Sequence, residues 1–230
     1  MPQSVINPFM TAPIVQTAQF VTLLGAATAR LSDLRAALRL APILVAADGG
    51  AALALRAGLV PEAVIGDMDS LPPALREGLP PARVWPVAEQ DSTDFEKSLD
   101  RIAAPLVLAL GMTGGRLDHT LAAFAALAAR PTRRVMLMGR HDAAFLCPPR
   151  LALTLPPGAR FSLFPLAPTR ARSRGLHWPL DGLDFAPEGR IATSNRATGG
   201  ALDLEIEQGS AIVLLERRHL ARAVRALGTA

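Results

Sequence analysis

The sequence predicts an α/β protein: a parallel-sheet domain, Rossmann-like and three-layered, followed by a small all-β sandwich. Three observations carry that expectation. Over the first two-thirds of the chain, short apolar runs alternate with helical patterns of about ten residues, as the crossover units of a parallel sheet require. Beyond about residue 150 the helical pattern stops until the extreme end, and short strands with turn signals take over. The turns that follow the early strands are repeatedly rich in Asp and Gly. The expected divisions are an N-terminal arm over 1–18, the α/β domain over 19–145 and the β-sandwich over 150–230.

Each element has its own signal. "FVTLLGAA" (20–27) reads as a strand and "LSDLRAALRL" (31–40) as a helix capped by Ser32 or Asp33. "ILVAA" (43–47) is a strand, and "AALALRAG" (51–58) a helix stopped at Gly58. "AVI" (63–65) and "RVWPV" (83–87) are short strands. "TDFEKSLDRI" (93–102) opens with the S/T-x-x-E capping box of Thr93 and Glu96. "PLVLAL" (105–110), apolar throughout, fits a central parallel strand covered on both faces. "RLDHTLAAFAALAA" (116–129) is a helix, and "RVMLMG" (134–139) the last strand of the first domain. In the second domain, "LALTLPPGARFSLFPL" carries a Pro-Pro-Gly turn between two apolar runs. "ALDLEIEQGSAIVLLE" (201–216) reads as a hairpin across Gln-Gly-Ser.

Composition narrows the function classes. The 230 residues, half of them apolar, suffice for one large core or two modest ones. The net charge is only +4 and Lys97 is the single lysine. No basic run is interleaved with aromatics, so nucleic acid is not an expected partner. One cysteine, Cys147, excludes an internal disulfide framework, fits a reducing compartment and reads as inert beside Pro148 and Pro149. The first twenty residues lack the basic region and clean apolar core of a signal peptide. No apolar run approaches the roughly 20 residues that span a bilayer. A soluble cytoplasmic protein without membrane contact is expected.

Four segments place acids and glycines after apolar runs: "ILVAADGGA", "AVIGDMDS", "WPVAEQDSTDFEKSL" and "LVLALGMTGGRLDHT". In an open parallel sheet such turns share the carboxyl edge, where ligands bind. In "GDMDS", extended backbone would point Asp67 and Asp69 the same way. Like charges so placed suit a hard cation such as Mg²⁺, and an Asx turn is the competing reading. Asp91 and Asp94 flank a helix start, where acids either bind a cation or simply complement the dipole. Lys97, one turn on, either pairs with Asp94 or reaches a phosphate. In "GMTGGRLDHT", Thr113, Gly114 and Gly115 precede a helix and let backbone N–H groups approach a phosphate. There Arg116 suits phosphate oxygens, Asp118 a metal or a hydroxyl, and His119 a base or a packed imidazole. Asp48, with Gly49 and Gly50, suits a ribose hydroxyl or a metal-bound water, or merely a turn. Together they describe a Mg²⁺–nucleotide site for phosphoryl-type transfer.

On "ADGGA" (47–51), "GDMDS" (66–70), "QDSTDFEKSL" (90–99) and "GGRLDHT" (114–120), in that order, the chain resembles the thiamine pyrophosphokinase family. "GLHWPL" (175–180) and "TSN" (193–195) extend the resemblance into the β domain, so that it covers about residues 20–216. The resemblance implies transfer of a pyrophosphoryl group from ATP to the hydroxyethyl oxygen of thiamine, giving thiamine diphosphate and AMP. It implies a homodimer with the thiamine pocket between the β domain of one subunit and the α/β domain of the other. Asp67, Asp69 and Asp94 become the Mg²⁺ and phosphate-site carboxylates, and Arg116 contacts phosphates. Asp48, Gly49, Gly50, Ser70, Asp91, Thr93, Lys97, the 113–115 turn and His119 are expected around the nucleotide. Gln90, Asp118, Ser194 and Asn195 face thiamine, and Asp118 orients or deprotonates its hydroxyl. Three features depart from the family pattern. Met68 stands where Phe is usual, "LLGAA" (23–27) lacks a glycine-rich turn, and no aromatic follows Asn195, which leaves Trp178 as the nearest ring. The competing functions are another Mg-nucleotide pyrophosphokinase or hydrolase, and a nucleotide or thiamine binder whose catalysis has lapsed.

Overall fold

A computed structural model describes residues 12–229. The first eleven residues, most of the expected N-terminal arm, lie outside the described residues. Within the described part of that arm, β1 (Val15–Gln16) pairs in parallel with β6 (Ile102–Ala103).

From Phe20 onward the alternation of strand and helix is present. The order is β2 (Val21–Leu24), α1 (Leu31–Leu38), β3 (Ile43–Ala47), α2 (Ala51–Arg56), β4 (Ala63–Gly66), α3 (Pro73–Glu77), β5 (Val84–Pro86) and α4 (Asp94–Asp100). After β6 come β7 (Val107–Leu110), α5 (Leu117–Ala128) and β8 (Val135–Met138). These strands pair in parallel in the order β5-β4-β3-β2-β7-β8. The chain therefore leaves β2 toward one flank and returns to β7 on the other, which makes β2/β7 the switch point where a ligand crevice opens. One local expectation changes. α1 is capped by Arg30 rather than by Ser32 or Asp33, and Asp33 in its first turn accepts the Arg30 backbone N–H at 3.2 Å.

The sheet is mixed, not parallel throughout. Only three residues separate β8 from β9 (Asp142–Leu146), and so short a link permits an antiparallel return but no crossover. The remaining elements are β10 (Arg150–Leu155), β11 (Arg160–Pro165), β12 (Thr169–Arg174), β13 (Asp184–Phe185), β14 (Ala192–Arg196), β15 (Gly200–Gln208), β16 (Ala211–Glu216) and α6 (Leu220–Thr229). β9, β16, β11 and β14 extend the first sheet to ten strands, while β10, β15, β12 and β13 form a second sheet of four.

The expected hairpin over 201–216 is therefore absent, because β15 and β16 belong to different sheets. The difference is legible in their burial. β15 alternates, with Leu202 and Leu204 inward, as a strand with one wet face does, whereas Ala211, Ile212 and Val213 of β16 are all buried. Gly209 makes the crossing: its φ is +82°, and a Cβ there would lie 2.1 Å from the Pro168 carbonyl oxygen.

One face of the large sheet packs against α1, α2, α6 and the small sheet, through Leu24, Leu34, Leu108, Leu153, Leu204 and Leu227. The other face packs against α4 and α5 through Val21, Leu23, Phe95, Leu99, Ala126 and Leu137. Arg217, just after β16, locks the two halves. Its guanidinium donates to Asp33 Oδ1 at 2.5 Å on α1 and to the Gly139 carbonyl at 3.5 Å. Burial pushes the Asp33 carboxyl up, but Arg217 and the Arg30 N–H more than reverse this, leaving it below 3.8.

Arg217→Ala should lower unfolding stability by about 1.5–3 kcal/mol, the range for hydrogen bonds to charged groups. The contribution is complete above the ordinary carboxylate value and is lost as pH falls through the lowered folded-state value. Denaturant titrations at pH 7 and at pH 3 test this: the gap between wild type and variant should narrow at the lower pH. A gap of equal size at both would exclude the Asp33 pair as its source.

Candidate active site

The crevice at the switch point is kept open by two glycines. A Cβ on Gly25, after β2, would fall 2.6 Å from the Gly111 carbonyl oxygen. Gly111, after β7, has φ +73° and would meet the Gly25 carbonyl in turn. Backbone bonds fix the two loops together, Gly25 N–H to Leu110 O at 2.7 Å and Ala27 N–H to Gly111 O at 2.9 Å. A cavity of about 290 Å³ lies beside them. Asp48, Gly49, Asp67, Ser70, Gln90, Thr93, Asp94, Lys97 and His119 all line it.

At its floor, Asp48, Asp67 and Asp94 each place a carboxylate oxygen within 4.8 Å of the others. This closeness has a backbone cause. A Cβ on Gly66 would sit 2.7 Å from Asp48 Cβ and 3.0 Å from Asp94 Oδ1, so only glycine lets the ends of β3 and β4 meet the start of α4. Asp48 is 2% exposed and holds φ +39°, a conformation Asp tolerates better than most residues. Its Oδ2 accepts the Ser70 backbone N–H at 2.9 Å, while its buried Oδ1 has no partner. Lys97, also 2% exposed, donates to Asp67 Oδ2 at 3.2 Å and to Asp94 Oδ1 at 3.3 Å. Of the two readings of Lys97, the pairing with Asp94 is present, and the residue also lines the cavity. α4 presents Asp94 and Lys97 on one face by their i,i+3 spacing, and the Thr93–Glu96 capping box is present.

The electrostatics leave a deficit. Three ionised carboxylates and one ammonium sum to two negative charges (−3 + 1 = −2) in this space. Burial raises the Asp48 carboxyl, and the charges of Asp94 and Asp69 add to the effect. Burial also raises Asp94, against the pull of Lys97. Burial pushes Asp67 up too, but the Asp69 N–H and Lys97 hold it low. Burial disfavours the Lys97 ammonium, and Asp67 and Asp94 more than restore it. Oxygen-only donors, an orphaned buried oxygen and a two-charge deficit fit a hard divalent cation.

The extended backbone expected through "GDMDS" is not what forms. Met68 has φ +68°, and its side chain is buried. Asp69 N–H donates to Asp67 Oδ1 at 3.3 Å, so the turn reading of Asp67 is present, and its carboxylate also belongs to the group of three. Asp69 itself is exposed and accepts the Ser70 hydroxyl at 2.8 Å, outside the group of three. Asp48 takes the third place.

The other predicted residues scatter. Gln90 donates to Asp67 Oδ2 at 3.4 Å. Asp91 and Ser92 donate their N–H groups to Glu89, whose carboxylate shapes this loop and which sequence reasoning passed over. Gly50 lines an adjoining cavity. Thr113, Gly114, Gly115, Arg116 and Asp118 are not in the lining of the first cavity. Arg116 and Asp118 are 73% and 63% exposed and bind each other, Nε to Oδ1 at 3.1 Å and the terminal nitrogen to Oδ2 at 2.6 Å. That bond holds the Asp118 carboxyl below its usual range. Also missed were Gly66, which stands in the quoted motif directly before the acids, and the Gly25–Ala27 turn, which does line the cavity.

Ser194 and Asn195 lie far away. β14 is eight strand spacings from β4, roughly 38 Å at about 4.8 Å per strand. Asn195 is buried and its amide brackets the Trp178 backbone, donating to Trp178 O at 2.7 Å and accepting from Trp178 N–H at 3.2 Å. Ser194, at φ +61°, donates its N–H to Ser162 Oγ at 3.0 Å. Trp178 is held 53% exposed, with the His177 ring edge-on at 4.5 Å. Cys147 is buried with its thiol pushed up to about 12, consistent with an inert residue.

Residues 34–137 match the family described as thiamin pyrophosphokinase, catalytic domain. A stretch of 154 residues, 59% of this chain, is 29% identical to thiamine pyrophosphokinase 1 of Oryza sativa subsp. japonica and spans 58% of that protein's length. Among solved structures, the thiamin pyrophosphokinase of Geobacillus thermodenitrificans matches with TM-score 0.73 at 24% identity, over 86% of this chain and 97% of that one. That of Candida albicans matches with TM-score 0.73 at 18% identity, over 94% and 96%. At these identities the solved structures establish the fold.

Asp48→Asn should separate stability from metal binding. It removes a buried, mutually repelled charge, keeps an acceptor for Ser70 and suits the positive φ. The ligand-free variant should melt higher than wild type and lose the stabilisation that added Mg²⁺ gives the parent protein. An unchanged Mg²⁺ shift in thermal melts would remove Asp48 from the cation site.

Proposed function

We propose that the chain, whose residues 34–137 match the thiamin pyrophosphokinase catalytic-domain family, is a member of that family and transfers a pyrophosphoryl group from ATP to thiamine, yielding thiamine diphosphate and AMP. The observation that carries this reading is the Asp48–Asp67–Asp94 group with Lys97 in the switch-point cavity. The α/β part over 19–145 acts as a Rossmann-like, three-layer nucleotide domain, and 150–230 as the β-sandwich that receives thiamine. The protein works in the cytoplasm as a homodimer.

Asp48, Asp67 and Asp94 hold Mg²⁺, with Asp69 completing the acidic rim. When bound, the ion neutralises charge developing on the phosphates. Lys97 keeps the acids convergent and offers its remaining ammonium hydrogen to a phosphate oxygen. The thiamine hydroxyl oxygen attacks the β-phosphorus and its proton passes to solvent, the bond from that phosphorus to the α–β bridging oxygen breaks, and AMP departs with that oxygen and its electron pair. Arg116, exposed at the start of α5, meets the phosphates. Because Arg116 keeps Asp118 a weak base, Asp118 orients the hydroxyl by accepting its hydrogen bond. Gln90 and His119 line the cavity that holds the acid group.

The distance from β14 to β4 argues for the dimer. No thiamine molecule reaches both Asn195 and Asp67 of one chain, so a second copy presents its Trp178 platform to the first copy's acids. Asn195 acts by pinning Trp178 for stacking on the thiamine pyrimidine.

Incubation with Mg²⁺ and ATP should release AMP only when thiamine is present. Asp94→Asn should abolish that release, and Trp178→Ala should raise the KM for thiamine about tenfold, as loss of a stacked ring does. AMP formation independent of thiamine would point to a different acceptor or to hydrolysis. Mixing the inactive Asp94→Asn chain with Trp178→Ala chains, under conditions that allow exchange, should restore full-affinity sites in part of the population. No change in thiamine KM on mixing would refute sites shared between subunits.

A further inference from the structure

The amino edge of the large sheet, opposite the acid group, holds a cavity of about 240 Å³. It lies where β7 and β8 begin and α4 ends, lined by Leu99, Pro105, Val107, Thr132, Arg133 and Arg134. Val107 and Gly111 are about 13 Å apart along the chain at roughly 3.3 Å per residue, so this cavity is separate from the crevice at the carboxyl edge. We propose that it binds a small tetrahedral oxyanion, inorganic phosphate, between Arg133, Arg134 and Thr132.

Cations here outnumber their counter-charges. The carboxylates beside the cavity belong to Arg130, which holds Asp100 at 2.7 and 2.6 Å and reaches Glu96 at 3.5 Å. Among the described residues, Arg133 and Arg134 are left with carbonyl partners. Arg133 donates to Leu99 O, and Arg134 to Gly228 O at 3.4 Å. Arg133 is half-buried, and burial holds its guanidinium below the usual value; Asp100 opposes this and the Arg130 charge adds to it. The bond to Leu99 O caps the end of α4, but it occupies one of five guanidinium N–H donors, so capping alone does not account for the residue.

The surroundings suit an oxyanion. A guanidinium fork offers paired N–H donors to two phosphate oxygens, and the exposed Thr132 hydroxyl adds another donor. The carbonyls that would repel an anion at the end of α4 are covered: Arg133 takes Leu99 O, and Arg101 takes Lys97 O at 3.0 Å. The rest of the wall is apolar, through Leu99, Pro105 and Val107, and brings no carboxylate into the cavity. The volume lies below the roughly 300 Å³ at which pockets for organic ligands begin, so a small ion fits and a nucleoside does not. Arg133 grips the helix that carries Asp94 and Lys97, so the two sites share α4.

Calorimetric titration of the full chain with inorganic phosphate, in EDTA and without nucleotide, isolates this site, because the metal-free acid group repels anions. Wild type should take up about one phosphate per chain. Arg133→Gln should weaken that uptake about tenfold or more, the effect of losing hydrogen bonds between charged groups, and Arg134→Gln several-fold. Arg134 is exposed, so its variant keeps the fold and decides the matter if Arg133→Gln does not fold. Both variants should keep the wild-type Mg²⁺ shift in thermal melts, which sets this site apart from the acid group. Glycerol phosphate should bind about tenfold more weakly than phosphate, and equal binding would overturn the assignment to a small free ion. No phosphate uptake by wild type, or uptake unchanged in either folded variant, would overturn the site.

Discussion

One buried ammonium governs the geometry of the candidate site. Lys97 reaches Asp67 from β4's end and Asp94 from its own helix, tying two elements that carry like charge. The chain has 24 basic residues and this is its single lysine, so arginine serves everywhere else. A guanidinium is planar and broad; a compact point charge with three donors, itself only 2% exposed, is what fits between the Asp67 and Asp94 carboxylates. Removing it would leave three carboxylates facing one another without a counter-charge.

The arrangement stores strain for a ligand. Asp48 sits at positive φ with an unsatisfied buried oxygen, and its carboxyl and that of Asp94 are raised by burial. Each feature costs folding stability, of the order of 1–3 kcal/mol for a strained backbone position. Folding tolerates it because the surroundings are over-determined: Gly66 admits the close approach, the Ser70 N–H fixes one Asp48 oxygen, and the core under α4 and α5 fixes the strand ends. A cation would relieve the repulsion and satisfy the orphaned oxygen together.

Much of this was legible in the sequence because local signals and global fold agree. The capping box at Thr93, the continuous apolar run of β7 and the Asp–Gly turns all have short-range causes. Three things had long-range causes and were not legible. Asp48 replaces Asp69 in the acid group because Gly66 admits its close approach from eighteen residues earlier in the chain, which the two-residue spacing of Asp67 and Asp69 cannot reveal. The 201–216 segment crosses between sheets because Pro168, forty-one residues before Gly209, occupies the space a hairpin side chain would need. Asn195, expected at thiamine, spends its amide on the Trp178 backbone seventeen residues away. In each case the deciding partner is distant in sequence.

The acid group as a single divalent-cation site beside a polyphosphate is most directly tested by electron paramagnetic resonance of Mn²⁺ added to the protein with ATP. One bound ion per chain is expected, with hyperfine coupling to phosphorus, and Asp67→Asn should abolish its signal. A bound-ion spectrum unchanged by that substitution would contradict the site.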